Sequence, residues 1–276
     1  MLGLAALAGT VALAAGAVRP PPEAAPRGQR FPTATAAVVA ALDEARLAGG
    51  VVAFGELHQT TATAGIESAL RRFTHAIWPD IAGRFSQLVV ETWMTTGRCG
   101  EAERAVTADV EKTTERPAHT ESEIETLLRD AHDRGVRPHI LSIACADYEA
   151  MYGGGAGVDY DRTLRVTAGA LETAIGRALR VAATGSAQAR LVGVYGGALH
   201  NDLYPDPELR AYSFAPAVLR ATLGQYVEID LVVPAYAAGS PAVRAQSWWR
   251  VYEKTRRRGA AVLIRRSSRS FVIVFP

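Results

Sequence analysis

Glu56 and His58 stand two residues apart, directly after a short apolar run over residues 50–54. If this run forms a buried strand, side chains alternate along it, so Glu56 and His58 point to the same side. The carboxyl ends of strands in open α/β sheets form the edge at which ligands usually bind. A carboxylate beside an imidazole can transfer protons or hold a metal ion, and the sequence predicts one of these two kinds of site here.

Two later segments place the same residue types at the ends of apolar runs. Glu91 follows the run 87–90, and His200 follows a glycine pair after the run 190–195. In a parallel sheet these ends lie on one edge, so two carboxylates and two histidines are expected to converge there. The predicted site residues are Glu56, His58, Glu91 and His200. They could activate water and protonate a leaving group, or they could hold a divalent metal that lowers the pKa of bound water.

The elements that position these residues are predicted from apolar periodicity and turn residues. Strands are predicted over residues 51–54, 87–90, 136–143, 190–195, 225–233, 260–264 and 271–275, and helices over 33–47, 64–77, 120–133, 161–183 and 216–222. Residues 120–123 have the form of a capping box, whereas the polar segment 92–118 receives no assignment. The alternation predicts an α/β fold with a central, mostly parallel sheet, helices on both faces and a C-terminal antiparallel hairpin that supplies edge strands.

The N-terminal segment is predicted to carry a targeting signal. Residues 2–18 form an uncharged apolar run, and a stretch rich in Pro and Ala continues to residue 30. This pattern is typical of a signal peptide or of an uncleaved membrane anchor. We therefore expect a periplasmic or secreted protein and leave membrane association through this segment open. The chain is divided into residues 1–30, with the signal-like run and a linker, and a single α/β domain over 31–276.

The charge balance gives no basis for a nucleic-acid partner, because 30 Lys and Arg residues are matched by 28 Asp and Glu residues. A local excess of basic residues at 244–269 is interpreted as a solvated rim that protects edge strands, with Trp248 and Trp249 packed beneath it. Cys99 and Cys145 each follow a predicted strand end. They are expected to form a disulfide if the protein is exported and to remain separate thiols if it is cytoplasmic.

Several common catalytic motifs are absent from the sequence, including the G-x-S-x-G elbow, the Walker A sequence, H-E-x-x-H and paired C-x-x-C motifs. The glycine cluster at 153–157 is interpreted as a flexible loop, since Val158 stands where a dinucleotide fingerprint needs its last glycine. Asp147, Asp202 and Asp230 lie near strand ends and are interpreted as turn or capping residues.

Three short motifs together resemble a known superfamily. They are Gly-Glu-x-His at residues 55–58, Glu91 after the second strand, and Gly-Gly-x-x-His at residues 196–200. The pattern is similar to the superfamily that unites erythromycin esterase-like proteins, the haem-binding uptake ChaN family, and the Tiki and TraB proteins, and it covers residues 51–233. The resemblance implies an α/β fold whose pocket contains Glu56, His58, Glu91 and His200. Its branches hydrolyse macrolide lactones, cleave peptides with a metal, or bind haem.

Two kinds of function are therefore expected. The first is an extracytoplasmic hydrolase of ester or peptide bonds in a small molecule or peptide, with a glutamate as general base and histidines as acid or oxyanion stabilisers. The four site residues could instead hold a metal that assists this reaction. The second is a haem- or metal-binding protein without catalysis, so the cofactor stays open between a divalent metal and haem. Candidate axial ligands for haem are Tyr152, Tyr195, Tyr204 and His200.

Overall fold

A mixed eight-stranded sheet forms the centre of the molecule. The computed structural model describes residues 25–153, 157–184 and 191–276. Its strands are β1 (Arg27–Phe31), β2 (Gly50–Glu56), β3 (Phe85–Trp93), β4 (Arg137–Leu141), β5 (Leu191–Gly197), β6 (Tyr226–Val232), β7 (Ala261–Arg265) and β8 (Ser270–Val274). They lie in the order β1-β7-β8-β6-β2-β5-β3-β4. Every neighbouring pair is parallel except the two pairs that β7 forms with β1 and β8.

Helices connect these strands and cover both faces of the sheet. They are α1 (Ala34–Ala45), α2 (Ala69–Arg72), α3 (Trp78–Ile81), α4 (Gly100–Thr114), α5 (Thr120–Asp133), α6 (Cys145–Met151), α7 (Tyr160–Ala182), α8 (Ala198–Asn201), α9 (Ala215–Ala221), α10 (Pro234–Ala238), α11 (Pro241–Ala245) and α12 (Ser247–Thr255). A π-helical turn, Phe73–Ile77, joins α2 to α3. The predicted α/β fold with a mostly parallel sheet is confirmed.

The apolar run of β2 is continuous because both of its faces are covered. Val52 and Phe54 face one core with Phe73, whereas Val51 and Ala53 face a second core that includes residues of α7 and α9. A strand buried on both sides needs apolar residues at every position, which explains why period-two alternation is absent before Glu56.

The predicted C-terminal antiparallel hairpin, β7–β8, is confirmed near one end of the sheet, but it does not supply the edge strand. Strand β8 pairs in parallel with β6, and β7 lies between β8 and β1. The edge strand on this side is β1, whose residues 27–30 were assigned to the linker. This strand was missed because Arg27–Phe31 is largely exposed and lacks an apolar pattern.

The basic segment near the C-terminus is more than a solvated rim. Arg266 forms an ion pair with the buried Glu228. The Arg266 side chain is only 22% exposed, so at least this arginine of the basic segment is largely buried. Trp248 and Trp249 are buried on α12 beneath the hairpin, as predicted.

Helix α5 begins at Thr120 as predicted, but the predicted capping box is wrong. His119 occupies the N-cap position, and its side chain makes no capping hydrogen bond. The Glu123 carboxylate instead accepts a hydrogen bond from the Ser68 hydroxyl, which ties α5 to the start of α2. The predicted helix 64–77 is also interrupted, since α2 starts only at Ala69.

A small cap stands beside the carboxyl ends of the strands. We use "cap" for α4 and α6, which follow β3 and β4 and pack through Val106, Tyr148 and Met151. Cys99 and Cys145 form a disulfide at the start of these two helices. Helix α4 falls in the segment that the sequence left unassigned.

Within the described ranges, no helix is long and apolar enough to cross a membrane. The predicted signal-like run at residues 2–18 lies outside the described residues, as do residues 154–156 of the glycine cluster.

Candidate active site

The carboxyl ends of three adjacent strands bring the predicted residues to one edge of the sheet. Strand β5 lies between β2 and β3. Glu56 is the last residue of β2, Glu91 lies near the end of β3, and His200 lies in α8 immediately after β5. The predicted location of the four residues therefore matches their placement in the fold, where they form two Glu–His pairs.

The first pair is a hydrogen-bonded dyad. His58 Nδ1 lies 2.9 Å from Glu56 Oε1. The second oxygen of this buried carboxylate accepts a hydrogen bond of 2.6 Å from the Tyr195 hydroxyl. Both oxygens of Glu56 therefore already have donors, and the carboxylate holds the imidazole in a fixed orientation.

The partner of the other ring nitrogen fixes the tautomer of His58. Arg116 Nη2 lies 2.9 Å from His58 Nε2. A guanidinium group can only donate hydrogen bonds, so Nε2 must accept with its lone pair. Nδ1 therefore carries the proton and donates it to Glu56 Oε1. A neutral imidazole oriented by a carboxylate has the geometry of a general base.

The second pair, Glu91 and His200, is more deeply enclosed. His200 Nδ1 donates to the Tyr212 carbonyl over 2.7 Å, which turns Nε2 toward Glu91 Oε1 at 3.8 Å. The other oxygen of Glu91 accepts a hydrogen bond of 2.7 Å from the Gly197 N–H. Glu91 is thus anchored to the end of β5.

Nearby positive charge keeps Glu91 ionised. Burial by itself raises the pKa of this carboxyl, but the Arg116 guanidinium, the Gly197 N–H and the two histidines, which are protonated at the acidic pH where a carboxyl titrates, together lower the pKa below its usual value. Two carboxylates therefore flank His58 at neutral pH, and either of them would stabilise an imidazolium formed there.

Glycines at the end of β5 make this close approach possible. A β-carbon at Gly196 would lie 2.5 Å from Glu91 Oε2, and one at Gly197 would lie 2.8 Å from His58 Nε2. Real β-carbons do not approach other atoms so closely, so any larger residue at these two positions would force Glu91 or His58 to move. The glycine pair that was noted in the sequence therefore provides space for the site.

The arrangement does not fit a metal held by all four predicted ligands. Within the part of the chain that the structure describes, no group of three or more His, Cys, Asp or Glu side chains could hold a metal ion. The best available ligand atom, His58 Nε2, already faces the cationic guanidinium of Arg116. The predicted four-residue metal centre is not supported by this geometry.

Three of the four predicted haem ligands, the tyrosines, already have hydrogen-bond partners. The hydroxyls of Tyr152, Tyr195 and Tyr204 donate to Glu101, Glu56 and Ser267 respectively. The cavity beside Glu56 and His58 has a volume of about 10 Å³, which is room for about one water molecule. This cavity does not fit a haem.

Sequence reasoning missed two residues of the site. Arg116 lies in the segment 92–118, which had no periodic pattern, and Tyr195 was considered only as a haem ligand. Neither contact could be found from spacing, because Arg116 is 58 residues from His58 and Tyr195 is 139 residues from Glu56.

Two of the three aspartates near strand ends have the predicted local roles. Asp147 accepts a hydrogen bond from the Ala144 N–H at the start of α6, and Asp202 accepts one from the Tyr204 N–H. Asp230 differs, because it lies within β6 and accepts from the Asn201 side chain. Burial raises its pKa to about 6.

We compared the chain with models of protein families, with curated proteins and with solved structures, and none of the three comparisons found a match.

Proposed function

We propose that this protein is an extracytoplasmic hydrolase of ester or peptide bonds, in which His58 is the general base. The hydrogen bond between Glu56 and His58 carries this proposal, because it holds the proton on Nδ1 and leaves the lone pair of the ring on Nε2. The resemblance of the three motifs to the erythromycin esterase-like superfamily supports the same reaction class.

The assignment of the base differs from the expectation that a glutamate would activate water. Both oxygens of Glu56 already accept hydrogen bonds, so this carboxylate is a positioning residue for His58. One oxygen of Glu91 likewise accepts a hydrogen bond, from the Gly197 N–H. The imidazole is the group whose lone pair, on Nε2, can take a proton from water once the contact with Arg116 is broken.

The reaction then runs in two steps. His58 Nε2 takes a proton from a water molecule as the water oxygen bonds to the substrate carbonyl carbon, and the carbonyl electron pair moves onto the carbonyl oxygen. When the tetrahedral intermediate collapses, the bond to the leaving oxygen or nitrogen breaks, and His58 gives its proton to that atom. Glu56 and Glu91 stabilise the imidazolium that exists between the two steps.

The buried Glu91–His200 pair supports this reaction from a position beside His58. A β-carbon at Gly197 would lie 2.8 Å from His58 Nε2 and 3.6 Å from Glu91 Oε2. Glu91 accepts a hydrogen bond from the Gly197 N–H, and His58 packs against Gly197. The Glu91–His200 pair therefore fixes the backbone on which His58 rests. His200 is a positioning residue in this proposal.

The extracytoplasmic location is supported by the disulfide between Cys99 and Cys145. Disulfides persist in secreted and periplasmic proteins and are rare in the reducing cytosol. Together with the signal-like run at residues 2–18, this favours export.

The experiment is a rate measurement on the purified full chain with 4-nitrophenyl esters and amino-acyl 4-nitroanilides. His58→Asn should lower kcat/KM by at least about 100-fold, which is the usual contribution of a general base. His132→Asn, which changes an exposed histidine on α5, should leave the rate unchanged. Equal activity of His58→Asn and the parent would refute the proposal, and stoichiometric haem binding without turnover would favour a carrier.

A further inference from the structure

Arg116 is a cation with a single partner at the centre of the site. Its side chain is half-buried, and its one hydrogen bond within the described ranges goes to His58 Nε2. No carboxylate in those ranges lies within 4.0 Å of the guanidinium. A guanidinium has five N–H donors, and a neutral imidazole satisfies only one of them. The remaining donors are available to a substrate.

The backbone that carries Arg116 is fixed on both sides of this residue. Glu115 adopts a left-handed conformation that ends α4, and its carbonyl accepts a hydrogen bond from the Thr61 N–H. Pro117, on the other side, is buried. The disulfide between Cys99 and Cys145 holds α4 within the cap. The guanidinium can therefore change partners by side-chain rotation alone.

The contact between Arg116 and His58 blocks the proposed reaction at rest. A nitrogen whose lone pair accepts a hydrogen bond from a cation cannot accept a proton from water at the same time. The base becomes available only when another acceptor attracts the guanidinium. A carbonyl oxygen that gains negative charge is such an acceptor, because both the donor and the acceptor are then charged, whereas in the contact with the neutral imidazole only the donor is charged.

The geometry points to Arg116 as a catalytic residue that masks His58 at rest and binds the carbonyl oxygen of the substrate during the reaction. This inference rests on the proposed function and adds the residue that stabilises the oxyanion. As the guanidinium moves to the carbonyl oxygen, His58 Nε2 is released to take the proton of the attacking water. The negative charge on the carbonyl oxygen is held by Arg116 until the leaving group departs.

The first experiment measures the reactivity of His58 with diethyl pyrocarbonate, which acylates unprotonated imidazole nitrogens. Arg116→Gln should raise the modification rate of His58 by at least about tenfold, since the charged donor that engages the lone pair of Nε2 is removed. Arg104→Gln removes an exposed arginine from the same helix, α4, and should leave this rate unchanged. An unchanged rate for His58 in folded Arg116→Gln would overturn the inference.

The second experiment measures turnover and the binding of methylphosphonate, a tetrahedral oxyanion mimic. Arg116→Gln should lower kcat by about 100-fold although its base is more reactive, because the oxyanion loses its donor. It should also bind methylphosphonate at least about tenfold more weakly, with partial recovery in Arg116→Lys. Faster turnover, or equal methylphosphonate binding, would contradict the role of Arg116. If the parent binds methylphosphonate through Arg116 but hydrolyses none of the substrates, only the proposed function fails.

Discussion

His58 Nε2 lies so close to Gly197 that a β-carbon on that residue would stand 2.8 Å from it. The base of the proposed reaction thus rests on the backbone at the end of β5. The same glycine donates its N–H to Glu91, so one residue contacts both Glu–His pairs.

Gly197→Ala should therefore damage the site more than the fold. The added methyl group displaces His58 from Glu56, and kcat/KM should fall by at least about tenfold, whereas overpacking costs roughly 1–3 kcal/mol of the free energy of unfolding. Gly169→Ala is the matched control, because a β-carbon there has no neighbour within 4 Å in the middle of α7. This change should leave the rate unaltered and raise stability by about 0.5–1 kcal/mol. Kinetics and urea unfolding of both variants test the prediction, which fails if Gly197→Ala retains full activity.

Tyr195→Phe should weaken the orientation of the dyad. The change removes the hydroxyl that donates to Glu56 Oε2 over 2.6 Å. A buried acceptor without its donor costs about 1–3 kcal/mol in stability. The Glu56 carboxylate should then be free to rotate, so kcat should fall while KM changes little. Tyr252→Phe, in α12, serves as the control, because the hydrogen bonds of Glu56 go to His58 and Tyr195. Unchanged kcat in Tyr195→Phe would show that Glu56 needs no fixed orientation.

The buried carboxyls of β6 predict how stability depends on pH. Burial raises the pKa of Asp230 to about 6, from an unfolded value near 3.8. The folded state therefore binds the proton more tightly, and the stability contributed by this group is present below pH 4 and is lost as pH rises through about 6. Asp230→Asn should reduce the loss of stability between pH 4 and pH 7. Urea unfolding at these two pH values checks this, and an unchanged difference would rule out Asp230 as its cause.

The disulfide should contribute substantially to stability. It joins cysteines 46 residues apart, and closing a loop of that length stabilises a fold by about 4 kcal/mol in the chain-entropy model. The double change Cys99→Ser and Cys145→Ser should lower the free energy of unfolding by up to this amount. Thermal unfolding of the parent with and without a thiol reductant provides an independent comparison. A parent protein with two titratable thiols after purification under oxidising conditions would contradict the pairing.

The fold was largely predictable because its central strands are buried on both faces. Runs such as 51–54 and 88–90 are apolar for that reason, and the predicted strands 87–90 and 225–233 agree in position with β3 and β6. Strand β1 was not predictable in this way, since Arg27–Phe31 lies at an edge and carries no apolar pattern. The position of the hairpin strands in the sheet depends on the pairing of β8 with β6, which is distant in sequence. A local residue pattern contains no information on such a pairing.

The site was predictable only where it is local in sequence. Glu56 and His58 are close neighbours on one side of the chain, and their hydrogen bond follows from that spacing. Glu91 and His200 were found because polar residues at strand ends do not suit a core. Arg116 gave no such signal, because its role depends on how the cap folds back over β2.

The tautomer of His58 is the most direct test of the central claim. Long-range proton–nitrogen NMR spectra of the imidazole, at neutral pH and in the parent protein, distinguish a proton on Nδ1 from one on Nε2. We predict a neutral ring protonated at Nδ1, with Nε2 as a hydrogen-bond acceptor, and a loss of this preference in Glu56→Gln. A parent ring protonated at Nε2, or unaffected by Glu56→Gln, would contradict the assignment of His58 as a base oriented by Glu56.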